Sequence, residues 1–180
     1  DTVIAISQSG ETIDTLVAVR AFKERGAKVI AISNVIDSAI PRESNYVLYT
    51  RAGPEIGVAA TKTFTTQLVI LTVLTLRAGI AMGKLDQGEY RDLMDSLNKV
   101  PGLLQNVIAR TEGRVKALSE YMKSRNNAYY LGRGIGVPLS MEGALKLKEI
   151  AYIHAEAYPA GESKHGPIAL VEEGYPVVFS

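Results

Sequence analysis

The stretch SQSGET at residues 7–12 decides how the fold is assigned, because it joins an apolar strand to an amphipathic helix. Residues 2–6 form a short apolar run typical of a buried strand, and residues 12–23 carry apolar side chains at helical spacing. The loop therefore leads into a helix N-terminus, where backbone N–H groups lack intrahelical partners and the macrodipole is positive. Together with the hydroxyl groups of Ser7, Ser9 and Thr12, these features predict an anion site suited to phosphate.

Helix capping alone would also explain this loop, since Ser and Thr are common N-caps and Gly10 eases a turn. The loop has neither the Lys of a P-loop nor the three spaced glycines of a dinucleotide-binding fingerprint. The sequence therefore favours a small phosphorylated ligand over ATP or NAD, and helix capping stays as the alternative.

The same order of elements recurs along the chain and predicts an α/β fold with parallel strands. Further strands are expected at residues 28–32, 46–49, 127–131 and 176–180, and further helices at residues 63–83, 87–110, 112–124 and 139–158. The apolar stretch at residues 68–82 is interrupted by Arg77, and we expect a buried helix there rather than a membrane span. Two related α/β modules, at residues 1–115 and 116–180, account for the repeated strand, loop and helix.

Composition narrows the classes of function. The chain has 180 residues, of which 47% are hydrophobic and 22% charged, with no cysteine and a net charge of +1. Disulfides, thiol catalysis and Cys-bound metals are thereby excluded, and the scattered basic residues predict neither a nucleic-acid surface nor a membrane anchor. We expect no metal and no cofactor, and the lack of cysteine and of a targeting segment favours a cytoplasmic location.

A second group of chemically active side chains lies on the helix expected at residues 139–158. Glu142, Lys146 and Glu149 fall within one narrow sector of that helix, whereas much of its remaining surface is apolar. A partly buried carboxylate in this position could serve as a general base. A surface ladder of ion pairs is the commoner use of this spacing and stays as the alternative.

Two polar loops supply further candidates. Residues 53–62 follow a predicted strand, and their glycines permit close approach of a ligand, although plain turn formation explains them as well. Residues 160–167 carry His165 between lysine, glycine and proline, where a histidine could transfer a proton near neutral pH. His154 is assigned to the preceding helix as a structural residue.

Much of the chain resembles the isomerase half of the glutamine:fructose-6-phosphate aminotransferase (glucosamine-6-phosphate synthase) family, which is built from two sugar isomerase (SIS) domains. The resemblance is carried by residues 7–12, 55–67, 131–134 and 142–167. The run EGALKLKEI at residues 142–150 is specific to that family, whereas the SQSGET loop marks SIS domains in general. The implied fold is a three-layer α/β/α arrangement with a parallel sheet. Since the chain opens without Met and both ends lie in predicted strands, we interpret both modules as incomplete.

The resemblance also implies which residues contact the substrate. Those implied in phosphate binding are Ser7, Gln8, Ser9 and Thr12. Val58 and Ala60 would line the sugar pocket, and Ala60 stands where the family commonly has Ser, so that one hydroxyl contact is missing. The implied ligand is therefore a sugar phosphate gripped mainly by the first loop.

Catalysis is implied for Glu149, which would move a proton between C1 and C2 of the sugar through an enediol or enolamine. Lys146 would support this base, and His165 would assist ring opening. The implied enzyme converts fructose 6-phosphate and ammonia into glucosamine 6-phosphate, as a homodimer whose full-length chain carries a glutaminase domain. Two alternatives stay open: another SIS isomerase or deglycase of sugar phosphates, and a non-catalytic regulatory domain that binds a sugar phosphate.

Overall fold

The computed structural model describes all of residues 1–180. The strands are Thr2–Ser7 (β1), Lys28–Ser33 (β2), Tyr46–Tyr49 (β3), Asn127–Gly132 (β4), His154–Pro159 (β5) and Val177–Phe179 (β6). The α-helices are Ile13–Glu24 (α1), Ala39–Glu43 (α2), Lys62–Ala81 (α3), Gln87–Met122 (α4) and Gly136–Ala151 (α5). Two 3₁₀ turns, Glu162–His165 and Pro167–Leu170, follow β5.

The chain divides into two compact units, Asp1–Pro101 and Gly102–Ser180. Each unit contains one three-stranded sheet, with strand order β1-β2-β3 in the first and β5-β4-β6 in the second. Every strand pair is parallel, which confirms the α/β fold with parallel strands expected from the sequence. The module boundary at residues 115/116 stays a prediction.

In the first unit, helices and sheet enclose a small apolar core. Ala5 lies beside Ala31 in the sheet, and this face packs against α1 and α2. The buried members of the core are Ala5, Leu16, Val19, Val29, Ala31 and Ile40. Leu48 lies on the opposite face in register with Ile32, and it lines a cleft together with α3. Helical segments therefore flank both faces of this sheet.

The second unit is built on the same principle, with α5 packed against β4 and β5. Its buried core residues are Met122, Ala128, Ala144, Ile153 and Ala155. Small side chains dominate this list, and they allow α5 to approach the sheet closely. Gly143 shows the fit, because a Cβ there would lie 2.7 Å from the Tyr130 ring.

Two expectations about helix boundaries are wrong. The helices expected at residues 87–110 and 112–124 are one continuous helix, α4, which also runs through Pro101. The helix expected at residues 139–158 begins at Gly136 and ends at Ala151, because Tyr152 adopts the left-handed conformation with φ 57°. His154 therefore lies on strand β5 rather than on a helix.

The expectation of a buried apolar helix is also wrong in part. Helix α3 forms where it was expected, but Thr63 is its only buried residue. By length and composition alone α3 could cross a membrane, since an 18-residue window of the helix has a mean hydropathy of 1.5 and none of that window is buried within the chain. One such helix is weak evidence and does not show a membrane location.

Candidate functional site

The loop at residues 7–12, here called the phosphate loop, is organised around the hydroxyl group of Ser7. The Ser7 Oγ atom lies 2.9 Å from Thr12 Oγ1 and accepts a hydrogen bond of 3.0 Å from the backbone N–H of Gly10. Ser9 Oγ accepts a hydrogen bond of 3.2 Å from the backbone N–H of Glu11. The structure thus brings Ser7, Ser9 and Thr12 together in one tight turn at the carboxyl edge of β1.

Free donors remain at this turn. Thr12 is the N-cap residue of α1, yet its side chain makes no capping hydrogen bond to the helix. The backbone N–H groups of Ser9 and Thr12 also make no hydrogen bond within the chain. The capping alternative therefore does not account for the Thr12 hydroxyl, and the open helix N-terminus can accept an anion.

Close packing beneath the loop depends on Gly10. Its φ of 67° lies in the left-handed region, and a Cβ atom there would lie 1.9 Å from Ser38 Oγ and 2.9 Å from Ser33 Oγ. Ser33 and Ser38 are themselves buried. A residue with a side chain could not occupy position 10 without displacing this layer, so the glycine fixes the loop against the segment that follows β2.

That segment holds the backbone carbonyl groups of the phosphate loop. The Asn34 N–H donates to the Gln8 carbonyl oxygen at 3.0 Å, and the Ile40 N–H donates to the Gly10 carbonyl oxygen at 2.9 Å. In a trans peptide the carbonyl and the following N–H point in opposite directions. Anchoring the Gln8 carbonyl therefore directs the Ser9 N–H away from Asn34, where it makes no hydrogen bond within the chain.

Glu11 does not face that space. Its Oε1 atom accepts a hydrogen bond of 2.8 Å from the Ala39 N–H, at the start of α2. The only carboxylate in the phosphate loop thereby binds the neighbouring segment, where it would repel a bound phosphate less than it would from the loop's open side.

The second candidate loop, expected at residues 53–62, precedes α3 as residues 51–61 and is fixed at both ends. The Asn34 amide binds its first residues, and Glu55 Oε2 accepts hydrogen bonds from Thr63 Oγ1 at 2.7 Å and from the Thr63 N–H at 3.3 Å. The hydrogen bond from Thr63 lowers the pKa of Glu55. Between these anchors Val58 is 95% exposed, and Ala60 is half-buried.

In the second unit, the three charged residues of α5 contact one another. Lys146 Nζ lies 2.5 Å from Glu149 Oε2 and 3.4 Å from Glu142 Oε1. The three side chains are 21–28% exposed, so they are only partly solvated. Burial by itself lowers the pKa of Lys146, but the hydrogen bond with Glu149 and the two carboxylate charges outweigh it, and this pKa is raised.

One oxygen of Glu149 stays available for chemistry. Its Oε2 atom is paired with Lys146, whereas its Oε1 atom accepts no hydrogen bond within the chain. A carboxylate that is held in place through one oxygen and open at the other has the arrangement a positioned general base needs. The ion-pair ladder exists, but with three partly buried members it is more than a solvated surface feature.

The two histidines occupy different settings. His165 is exposed and ends the first 3₁₀ turn, next to Gly166. His154 on β5 lies 3.6 Å from Glu156 Oε1. Glu156 Oε2 also accepts a hydrogen bond of 2.5 Å from Tyr158, which together with burial raises the pKa of Tyr158 to about 12. No group of three or more His, Cys, Asp or Glu side chains is placed to hold a metal ion.

Asn34 is the main residue that sequence reasoning missed. It directly follows β2, as Ser7 ends β1, so its position at the carboxyl edge of a parallel sheet was a usable signal. Glu55 was missed for a different reason. It lies eight residues before Thr63, which is not one of the positions from which a side chain normally caps a helix.

Comparison with known proteins finds matches over the whole chain. The SIS domain family model matches residues 1–77 and 121–180. The isomerizing glutamine–fructose-6-phosphate aminotransferase of Pyrobaculum aerophilum is 61% identical over 179 residues, which are 99% of this chain and 29% of the relative. The Aquifex aeolicus protein of the same name is 53% identical over 178 residues, which are 99% of this chain and 28% of the relative. The chain thus spans less than a third of these relatives' length.

Solved structures agree with this result. The C-terminal domain of glucosamine-fructose-6-phosphate aminotransferase from Francisella tularensis superposes with a TM-score of 0.95 at 43% identity, covering 99% of this chain and 50% of that one. Glucosamine-6-phosphate deaminase from Thermotoga maritima has a TM-score of 0.72 at 25% identity, covering 99% of this chain and 52% of that one.

Proposed function

The chain belongs to the SIS domain family, and we propose that it supplies sugar-phosphate isomerase chemistry to a glucosamine-6-phosphate synthase. The proposed reaction converts fructose 6-phosphate and ammonia into glucosamine 6-phosphate. Support comes from relatives that carry the name glutamine–fructose-6-phosphate aminotransferase and are 50–61% identical to nearly all of this chain. In this proposal, phosphate binding and proton transfer are assigned to different residues of the chain.

Phosphate binding is assigned to Ser7, Gln8, Ser9 and Thr12. The hydroxyl groups and free backbone N–H groups of this loop supply donors, and the N-terminus of α1 adds a positive partial charge. Binding at the phosphate holds the sugar in place without requiring contacts at the reacting carbons. Such positioning contributes to the rate because it removes the entropy cost of orienting the reacting carbons.

Proton transfer is assigned to Glu149, and the observation that carries it is the Lys146–Glu149 pair on the partly buried face of α5. Once ammonia has replaced the C2 carbonyl oxygen of the sugar, the Glu149 carboxylate removes a proton from C1. The electron pair left behind forms the C1–C2 double bond, and the pair of the C2–N double bond moves to nitrogen, which takes up a proton to give an enolamine. Return of the proton from Glu149 to C2, with loss of the proton of the C1 hydroxyl group, then gives the aldehyde at C1 and the amine at C2.

Lys146 and His165 have supporting roles in this proposal. Lys146 keeps the carboxylate of Glu149 oriented through the contact of 2.5 Å. His165 transfers a proton to or from the ring oxygen during ring opening, and its exposed position on the 3₁₀ turn leaves the imidazole free to reach a ligand. Val58 and Ala60 are assigned to the sugar pocket.

Proton exchange in D2O tests this assignment. The natural protein that contains this chain is incubated with fructose 6-phosphate and ammonia and followed by proton NMR, beside its Glu149→Gln and Glu142→Gln variants. Both substitutions remove one carboxylate partner of Lys146, so they are matched for structural damage. We expect Glu149→Gln to slow C1 proton exchange by about 10²- to 10⁴-fold, and Glu142→Gln to slow it far less.

Each other outcome has a definite meaning. Equal losses in the two variants would reject Glu149 as the base. Ligand-induced shifts without exchange in the wild-type protein would reject the enzyme and support a sugar-phosphate sensor. Turnover of another sugar phosphate, with none of fructose 6-phosphate, would support a different SIS isomerase or deglycase.

The proposal extends to properties of the whole protein. We propose a homodimer, a glutaminase domain elsewhere in the natural polypeptide that supplies ammonia, and a cytoplasmic location. Within the chain, we propose SIS modules at residues 1–115 and 116–180. Analytical ultracentrifugation tests the dimer, and ammonia release from glutamine by the natural protein tests the glutaminase domain.

A further inference from the structure

We propose that Asn34 is a positioning residue that couples the phosphate loop to the loop at residues 51–61, and thereby sets the affinity for the sugar part of the ligand. The inference rests on the proposed function, since it assumes that the second loop contacts the sugar. It assigns a role in ligand affinity to a residue that the family resemblance did not implicate.

The backbone of Asn34 belongs to the phosphate loop's support. Its N–H donates to the Gln8 carbonyl oxygen at 3.0 Å, which is the only hydrogen bond that this carbonyl accepts within the chain. Any substitution except proline keeps this N–H group. Changes to the Asn34 side chain therefore leave the phosphate loop's own anchor in place.

The side chain of Asn34 holds the second loop. Its Oδ1 atom accepts hydrogen bonds from Thr50 Oγ1 at 2.8 Å and from the Ala52 N–H at 2.9 Å. Its Nδ2 atom donates to the Gly53 carbonyl oxygen at 2.8 Å. Three hydrogen bonds of one half-buried amide thus fix Thr50 and the first residues of this loop, and Asn34 contacts both this loop and Gln8.

The remainder of the loop has few other constraints. Its second anchor is the contact between Glu55 and Thr63. Beyond Glu55 the side chains of Ile56 and Val58 are 93% and 95% exposed, so packing does not fix the tip. The placement of the tip relative to the phosphate loop therefore depends on Asn34. The affinity for a sugar that contacts both loops should depend on that placement.

The test compares two asparagines in the first sheet. Asn34→Ala removes the coupling, and Asn34→Asp keeps both acceptor contacts but replaces the donor to Gly53 by a carboxylate oxygen, which repels the Gly53 carbonyl oxygen. Asn45→Ala is the matched control, because Asn45 Oδ1 also binds a backbone N–H of this sheet, that of Val29 at 2.8 Å, but at the start of β2. Calorimetry on the natural protein gives Kd for fructose 6-phosphate and for inorganic phosphate.

The ratio of the two Kd values is the readout, because a loss of folded protein or an added charge affects both ligands together. We expect the ratio of Kd for fructose 6-phosphate to Kd for phosphate to rise about fivefold to tenfold in both Asn34 variants. It should stay unchanged in Asn45→Ala. An unchanged ratio in both Asn34 variants, or an equal rise in Asn45→Ala, would overturn the coupling. If the wild-type protein bound neither ligand, the proposed function itself would fail.

Discussion

The junctions from β1 to α1 and from β4 to α5 share one topology, yet different groups occupy the space at the two helix N-termini. At the first junction, hydroxyl groups surround free backbone N–H groups. At the second, Ser180 Oγ donates to the Gly136 carbonyl oxygen at 2.8 Å and lies 2.6 Å from Ser140 Oγ. The chain's own residues therefore fill the place that stays open in the first unit.

This difference shows that a repeated strand, loop and helix does not carry the same chemistry twice. The open junction can bind an anion, whereas at the second junction Ser180 packs against the start of α5. In the second unit the charged groups lie further along α5, at Glu142, Lys146 and Glu149. Binding and proton transfer are thus assigned to different points of one supersecondary pattern.

Replacement of a loop glycine by alanine should give the largest difference in stability and binding between the two junctions. A Cβ on Gly132 would lie 2.3 Å from the Gly136 backbone, which cannot rotate away, so we expect Gly132→Ala to cost about 3 kcal/mol of stability or more. A Cβ on Gly10 would lie 1.9 Å from Ser38 Oγ, which can rotate, and 2.7 Å from Ser38 Cβ, which cannot, so Gly10→Ala should also be destabilising, though by less than the clash with backbone at Gly132. Gly10→Ala should nevertheless weaken sugar-phosphate binding more than any other single change in the loops.

Gly134→Ala is the control for these variants. Gly134 has φ 57° but open space around its Cβ position, so only backbone strain of about 1 kcal/mol is expected. Thermal unfolding ranks the three variants, and calorimetry with fructose 6-phosphate measures binding. If Gly134→Ala were as damaging as Gly132→Ala, close packing would not be what distinguishes the second junction.

The first junction could be read from the sequence because its signals are local. An apolar strand, a Ser-rich turn and a helix follow one another within residues 2–24, and the structure places them at Thr2–Ser7 and Ile13–Glu24. The ion-pair stripe on α5 was likewise predictable, since helical spacing alone brings Glu142 and Glu149 to Lys146. Neither inference required knowledge of tertiary contacts.

Other features depend on contacts that are distant in sequence or on conflicting signals. Residues 153–157 alternate between apolar and polar side chains, a strand pattern, but they follow a helix whose apolar spacing concealed the break at Tyr152. Asn34 contacts residues 16–19 positions away, so only the sheet edge reveals its role. The exposure of α3 could not be predicted, because composition does not say how much of an apolar helix is covered.

Removal of one buried hydroxyl group at each junction should give the next largest difference between the two junctions. Ser7 and Ser140 are 6% and 1% exposed, and each makes a contact with another hydroxyl group. Either alanine variant leaves former partners unpaired, at a cost of about 1–3 kcal/mol. Only Ser7→Ala should also weaken binding of inorganic phosphate, since the Gly10 N–H loses its acceptor. Equal phosphate binding by both variants would remove the functional distinction between the junctions.

The pH dependence of stability should give the smallest difference between the two units. The first unit should lose stability in acid and the second in alkali. A hydrogen bond from Arg20, at 2.8 Å, lowers the pKa of Glu43 in the first unit. The stabilisation by the Arg20–Glu43 pair is present above the ordinary pKa of 4.5 and is lost as the pH falls through the lowered pKa of Glu43. In the second unit, the hydrogen bond to Glu156 raises the pKa of Tyr158 from 10.0 to about 12. That stabilisation is complete below pH 10 and is lost as the pH rises through the raised pKa.

Thermal unfolding of Tyr158→Phe and Glu43→Gln across the pH range tests this contrast. Tyr158→Phe should have a lower Tm than wild type below pH 10, and the difference should shrink between pH 10 and about 12, where the Tyr158 hydroxyl ionises in the unfolded chain before it does so in the folded protein. Glu43→Gln should differ from wild type by a smaller amount, which vanishes only on the acid side, because the Arg20–Glu43 pair is solvent-exposed and weak. A Tyr158→Phe difference that persisted unchanged at pH 12 would mean that the hydroxyl contributes through packing, and the hydrogen bond to Glu156 would then not account for the alkaline sensitivity of the second unit.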